Sequence, residues 1–189
     1  MKTERMEAFS DAVIAIIMTI MVIEIKVPES SRIQDLIPLI PVFLSYVLSF
    51  VYLGIYWTNH HHVMHAVDRI NGKILWANLH LLFWLSLIPF VSGWMGENGF
   101  ESITLSFYGV ILLMASLAYL HLQHLLIKAN RNSVLSEVVG KDLKGKVSAL
   151  LYVIGILFSW IWLWVAGVCY LLVALIWLIP DKRIEKTVD

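Results

Sequence analysis

Between Asp11 and Glu24 lie twelve uncharged residues, Ala12 to Ile23, inside an apolar helical pattern that begins near Arg5. A bilayer core of about 30 Å needs roughly 20 helical residues. A helix that spans here therefore puts Ser10, Asp11 or Glu24 at or inside the membrane boundary. An ionisable group at that depth must face protein or water rather than lipid, so it is a candidate functional residue. Further apolar runs follow. With 59% hydrophobic and only 15% charged residues, the 189-residue chain reads as an all-α, polytopic membrane protein.

Six spans fit the pattern, at about 5–27, 38–62, 74–94, 102–127, 146–163 and 166–180, within one domain covering 1–189. Pro28 stops the first. Pro38 or Pro41 starts the second, where proline is tolerated. Pro89 kinks the third. The last apolar run, Val147 to Ile179, is divided near Trp164 to Gly167, because one long helix would leave an odd number of spans. The alternating Trp160, Trp162 and Trp164 suit a membrane interface. Glu137, Lys141, Asp142, Lys144 and Lys146 read as a solvated loop, partly helical.

Charge placement supports six spans. Lys2, Arg5, Arg69, Lys73, Lys128, Arg131, Lys141, Lys144, Lys146, Lys182, Arg183 and Lys186 then fall on one side, and only Lys26 and Arg32 on the other. The positive-inside rule puts both termini in the cytoplasm. The Met-Lys-Thr-Glu-Arg start, which includes an acidic residue and has no small-residue cleavage site after it, reads as a retained helix rather than a leader.

Several classes of function drop out. Fourteen basic residues balance fourteen acidic ones, which argues against a nucleic-acid partner. The single cysteine, Cys169, excludes an intrachain disulfide and a cysteine-based metal cage. No Gly-rich phosphate loop occurs, and Ser10 has no positioned base, so no enzyme is read here and no cofactor is expected.

On the first helix Ile16, Ile20 and Ile23 form one stripe, with Thr19 beside it. Ala8, Ala12, Ala15 and Thr19 are small residues at spacings that let helices approach closely. The isoleucines are either core and lipid-facing residues or the lining of a narrow pore, where a ring of them gates by dewetting. Periodicity alone leaves both open. Arg5 and Phe9 are i, i+4 neighbours and can stack. Asp11 is read as accepting from the second or third helix, from His60, His61 or Asn78, in a structural network at the cytoplasmic mouth.

Arg5-x-x-x-Phe9-Ser10-Asp11 resembles the R-x-x-x-F-S-D signature of the transmembrane protein 175 family of potassium channels. Trp57-Thr58-Asn59-His60-His61 is similar to that family's W-x-x-H-H. Asn78-Leu79 with Leu82 and Pro89-Phe90 is similar to its third-helix pattern. The resemblance covers nearly the whole chain. It implies a potassium-permeable channel without a T-V-G-Y-G filter, a sequence that does not occur here. It also implies a homotetramer of single six-helix repeats in a prokaryotic inner membrane, with monovalent cations, potassium above all, as the permeating partner. The family's constriction residue falls on Ile16, its pore hydroxyl on Thr19 and the next apolar layers on Ile20 and Ile23. A second hydroxyl of the animal members is replaced by Ala15, which implies weaker selectivity for potassium over sodium.

His60, His61, His62 and His65 read as interfacial histidines that pack and hydrogen-bond. His61 and His65 have a metal-compatible spacing, yet no cysteine is near and Asp68 lies in a loop, so no metal is expected. His121 and His124 are not read as haem ligands. The competing function is a proton-coupled secondary transporter with Asp11 and the His60–His65 cluster as its relay. Inverted repeats would mark one, and none is seen. A non-conducting membrane scaffold is the third reading.

Overall fold

The computed structural model describes residues 3–130 and 143–178, and every regular element among them is helical. The helices are α1 (Thr3–Ile23), α2 (Ile40–His65), α3 (Gly72–Ser86), α4 (Ile88–Glu97), α5 (Ser102–Ala129), α6 (Leu143–Phe158) and α7 (Leu163–Leu178), with a 3-10 helix over Ile33–Leu39. Since α3 and α4 form one interrupted rod, this is a six-helix, all-α membrane architecture. The rods Thr3–Ile23, Ile33–His65, Gly72–Glu97 and Ser102–Ala129 are long and apolar enough to cross a bilayer. The last two helices have 16 residues each. That is about 24 Å, shorter than an average hydrocarbon core.

Local chemistry sets the ends. Pro28 cannot follow a helical Glu24, because its ring would meet that carbonyl four residues back. α1 accordingly ends at Ile23, earlier than the expected Val27. α2 carries Pro41 in its first turn and runs on to His65, one turn beyond the expected His62. Asn71 caps α3, its side-chain oxygen accepting from the Ile74 N–H at 3.1 Å. Pro89 divides the third rod at Leu87, whose N–H turns to the Trp84 carbonyl at 3.3 Å. Gly99 follows α4 with φ of 61°, and the Phe100 N–H reaches the Met95 carbonyl at 3.0 Å. Together with Gly99 N–H to the Gly96 carbonyl, this is a Schellman closure, and glycine supplies its left-handed residue.

The last apolar run turns at Ser159 to Trp162 rather than near Trp164 to Gly167. The turn satisfies its own backbone: Trp162 N–H bonds the Phe158 carbonyl at 2.7 Å, and Ser159 Oγ bonds the Ile156 carbonyl at 2.7 Å. Trp160, Trp162 and Trp164 all point outward. Lys144 and Lys146 lie in the first turn of α6, the helical part of the stretch read as a partly helical loop. Glu137, Lys141 and Asp142 lie outside the described residues, as do positions 179 and 180 of the expected sixth span.

The core is built on α5, which packs against α3, α4, α6 and α7. Polar side chains stitch these rods together. Tyr108 Oη and Ser49 Oγ are 2.9 Å apart, Ser49 donates to Ser92 at 2.9 Å, and Ser92 donates to the Ser45 carbonyl at 3.1 Å. Tyr52 donates to the Tyr170 carbonyl at 2.5 Å. A Cβ on Gly96 would stand 2.6 Å from Val42 Cα, so glycine sets the approach of α2 and α4. α1 packs on α2, α3 and α4. Beyond its end, Lys26 pairs with Glu97 at 2.7 Å. That hydrogen bond, and then the carboxylate's charge, raise the lysine's pKa above its usual value.

A one-sided helix with a hydrogen-bonded mouth

α1 is buried on one stripe. Met6, Ser10, Ile14, Ile17 and Met21 recur at three- and four-residue steps and are all buried. The opposite face is bare, carrying Arg5, Ala8, Phe9, Ala12, Ala15, Ile16, Thr19, Ile20 and Ile23. Ile16 is 57% exposed and Ile23 is 78% exposed. The stripe and its adjoining small residues thus share the side that the chain itself leaves uncovered. An open groove of about 650 Å³ runs beside it, lined by Ile16, Ile20, Phe90 and Trp94 among others. Thr19 donates its hydroxyl hydrogen to the Ile16 carbonyl at 2.9 Å. Thr19 is itself exposed, so its oxygen can still accept a bond from that side.

The N-terminal half of α1 is tied down by side chains. Ser10 donates to the Met6 carbonyl at 2.8 Å. With its hydrogen committed, Ser10 Oγ accepts from Asn78 Nδ2 at 2.8 Å. Asn78 Oδ1 is then the acceptor for His60 Nε2 at 2.8 Å, which assigns the ring proton to Nε2. One directed chain, His60 to Asn78 to Ser10 to Met6, joins α2, α3 and α1. All three side chains are buried, where unpaired polar groups would be costly.

A second set of contacts lies beside it. Trp57 Nε1 donates to Asp11 Oδ1 at 3.1 Å. His61 Nδ1 is 2.7 Å, and His65 Nε2 3.4 Å, from Glu7 Oε1. Glu7 and Asp11 are one turn apart on α1, as are Trp57, His61 and His65 on α2. The two stripes meet in antiparallel register.

The structure thus brings together Ser10, His60 and Asn78, and separately Asp11 with Trp57. The donor to Asp11 is Trp57, where His60, His61 or Asn78 was expected, because His60 and Asn78 are engaged with each other and His61 faces Glu7. Arg5 and Phe9 are exposed on the bare side, and among the described residues no ring packs on Arg5. Glu7 was missed in the sequence. Its signal was its position one turn before Asp11, matching the spacing of His61 and His65.

Residues 5–89 match the family described as Endosomal/lysosomal potassium channel TMEM175. A potassium channel of Chryseobacterium sp. (strain P1-3) is 51% identical over 184 residues, covering 97% of this chain and 96% of the relative. A potassium channel of Chamaesiphon minutus is 30% identical over 189 residues, covering 90% and 91% of the two chains. The crystal structure of a lysosomal potassium-selective channel TMEM175 homolog from Chamaesiphon minutus superposes with a TM-score of 0.81 at 27% identity, covering 95% of this chain and 98% of that one. Matched along nearly its whole length in sequence and in fold, this chain belongs to the TMEM175 family of potassium channels.

Proposed function

We propose that the protein is a potassium-permeable channel assembled from four copies, with α1 of each copy facing the central axis. The observation that carries this reading is the one-sided burial of α1, with Ile16, Thr19, Ile20 and Ile23 on its uncovered face. Relatives that this chain resembles at 51% and 30% identity are potassium channels, which supports the choice of ion.

Ile16 forms the constriction in this reading. Four isoleucine side chains around an axis make an apolar collar that excludes water when narrow and passes hydrated cations when wide. Thr19 supplies the polar layer beside it. Its hydroxyl already gives its hydrogen to the Ile16 carbonyl, so its oxygen meets a passing cation as an acceptor. Ile20 and Ile23 add further apolar layers. The groove beside Ile16 and Phe90 receives the neighbouring subunit. Ser10, Asn78 and His60, together with Asp11 and Trp57, keep the pore helix at a fixed rotation. The membrane is the inner membrane of a prokaryote, with both termini on the cytoplasmic side.

The test compares potassium and sodium flux in proteoliposomes for the native chain and for Ile16→Asn. Faster potassium than sodium flux in the native chain, with higher total flux or lost discrimination in Ile16→Asn, is the expected result. Native flux that Ile16→Asn leaves unchanged for both ions would sink the constriction assignment. Saturable flux driven only by a proton gradient would instead favour a coupled transporter.

A further inference from the structure

We propose that Glu7, His61 and His65 form a binding site for a divalent transition-metal ion of the zinc type, which clamps the first turns of α1 to the last turns of α2. Glu7 Oε1, His61 Nδ1 and His65 Nε2 all lie within 4.8 Å of one another. Two sides of this triangle measure 2.7 and 3.4 Å. On a tetrahedral zinc ion with bonds near 2.0–2.1 Å, neighbouring donor atoms stand about 3.3 Å apart. Both known sides lie within about 0.6 Å of that spacing, and the third is no longer than 4.8 Å, so side-chain rotation can bring the three donors around one ion.

The donor set is selective. One carboxylate and two imidazoles suit zinc, copper or nickel, whereas magnesium and calcium prefer sites made of oxygen alone. Three protein donors leave one position open for water. The half-exposed imidazoles, at 42% and 48%, give solvent access, while Glu7 is 14% exposed and anchored against α2. His61 is also steadied, with Trp57 at 6.4 Å between ring centroids on one side and His62 edge-on at 5.8 Å on another. Glu7 supplies one negative charge, and Asp11 adds another one turn along α1. Without a metal, two ring nitrogens converge on a single carboxylate oxygen. With one, each donor directs a lone pair at the same ion. The site is assembled from α1 and α2, whose donors lie 54 residues apart in the chain.

The experiment titrates the full chain in detergent with zinc at neutral pH by calorimetry, alongside Glu7→Gln, His61→Gln, His65→Gln and, as a control on α5, His121→Gln. One ion per chain is expected, weakened by about tenfold or more in each of the three variants and unchanged in His121→Gln. A second measurement needs no variant: zinc should protect His61 and His65 of the native chain from carbethoxylation, read by peptide mass, and magnesium should not. No zinc uptake by the native chain, uptake indifferent to all three substitutions, or modification of His61 and His65 at the same rate with and without zinc would each overturn the proposal. None of these readouts involves conduction, so failure here leaves the channel reading standing, and failure of conduction leaves this site standing.

Discussion

Trp57 donates its indole N–H to Asp11 Oδ1 across 3.1 Å, fastening the end of the signature motif to the second long helix. A hydrogen bond to a carboxylate at a half-exposed site is worth about 1 kcal/mol. Trp57→Phe and Asp11→Ala, each of which removes one partner, should therefore show that coupling in a double-mutant cycle followed by thermal unfolding in detergent. Strictly additive effects would mean that the contact contributes nothing.

Asn78 holds the centre of the buried chain, so its loss should be the more damaging one. Asn78→Leu keeps the volume but strands the His60 Nε2–H and leaves Ser10 without its donor. The expected cost is about 2–3 kcal/mol. Ser10→Ala removes two bonds, but the Met6 carbonyl keeps its helical partner and only one Asn78 N–H is stranded, so the cost should be smaller, about 1–2 kcal/mol. Unfolding midpoints of the two variants in the same detergent check the order.

The two faces of α1 should react differently to water-borne reagents. Cysteine placed at Ile16, Ile20 or Ile23 should be modified by a charged thiol reagent, and the modification should change ion flux. Cysteine at Ile14 or Ile17, both buried, should stay unmodified. The native chain is a suitable background, since Cys169 is buried. Equal labelling of both faces would contradict the orientation of the helix.

Two glycines on neighbouring helices offer a test of packing. Gly96→Ala drives a methyl to 2.6 Å from Val42 Cα, and overpacking of this kind costs about 1–3 kcal/mol. Gly54→Ala meets nothing within 4 Å, and removing a helical glycine should gain about 0.5–1 kcal/mol. Melting temperatures should therefore move in opposite directions.

What could be read beforehand was whatever repeats along the chain. The Ile16, Ile20 and Ile23 stripe is a spacing, and the structure leaves it uncovered. Pro89 announces its own break through its missing N–H. The turn at Ser159 to Trp162 is less legible, because that stretch holds neither Gly nor Pro and only Ser159 interrupts the apolar run there. Partnerships across the fold were harder still. His60 and Asn78 were singled out separately, but that one bonds the other through a shared amide depends on how three helices rotate. Glu7 showed in sequence only its place one turn before Asp11, and its partners depended on α2 running one turn past His62 to bring His65 beside it.

The chain from His60 through Asn78 and Ser10 has the look of a wire for hopping protons. Its polarity forbids that. Every hydrogen points toward Met6, and the last acceptor there is a peptide carbonyl, which has no hydrogen to hand on. An amide in the middle is a poor station for an excess charge as well. A charge entering at the histidine would find no exit at the far end, so in this arrangement these four groups join three helices without offering a path through them.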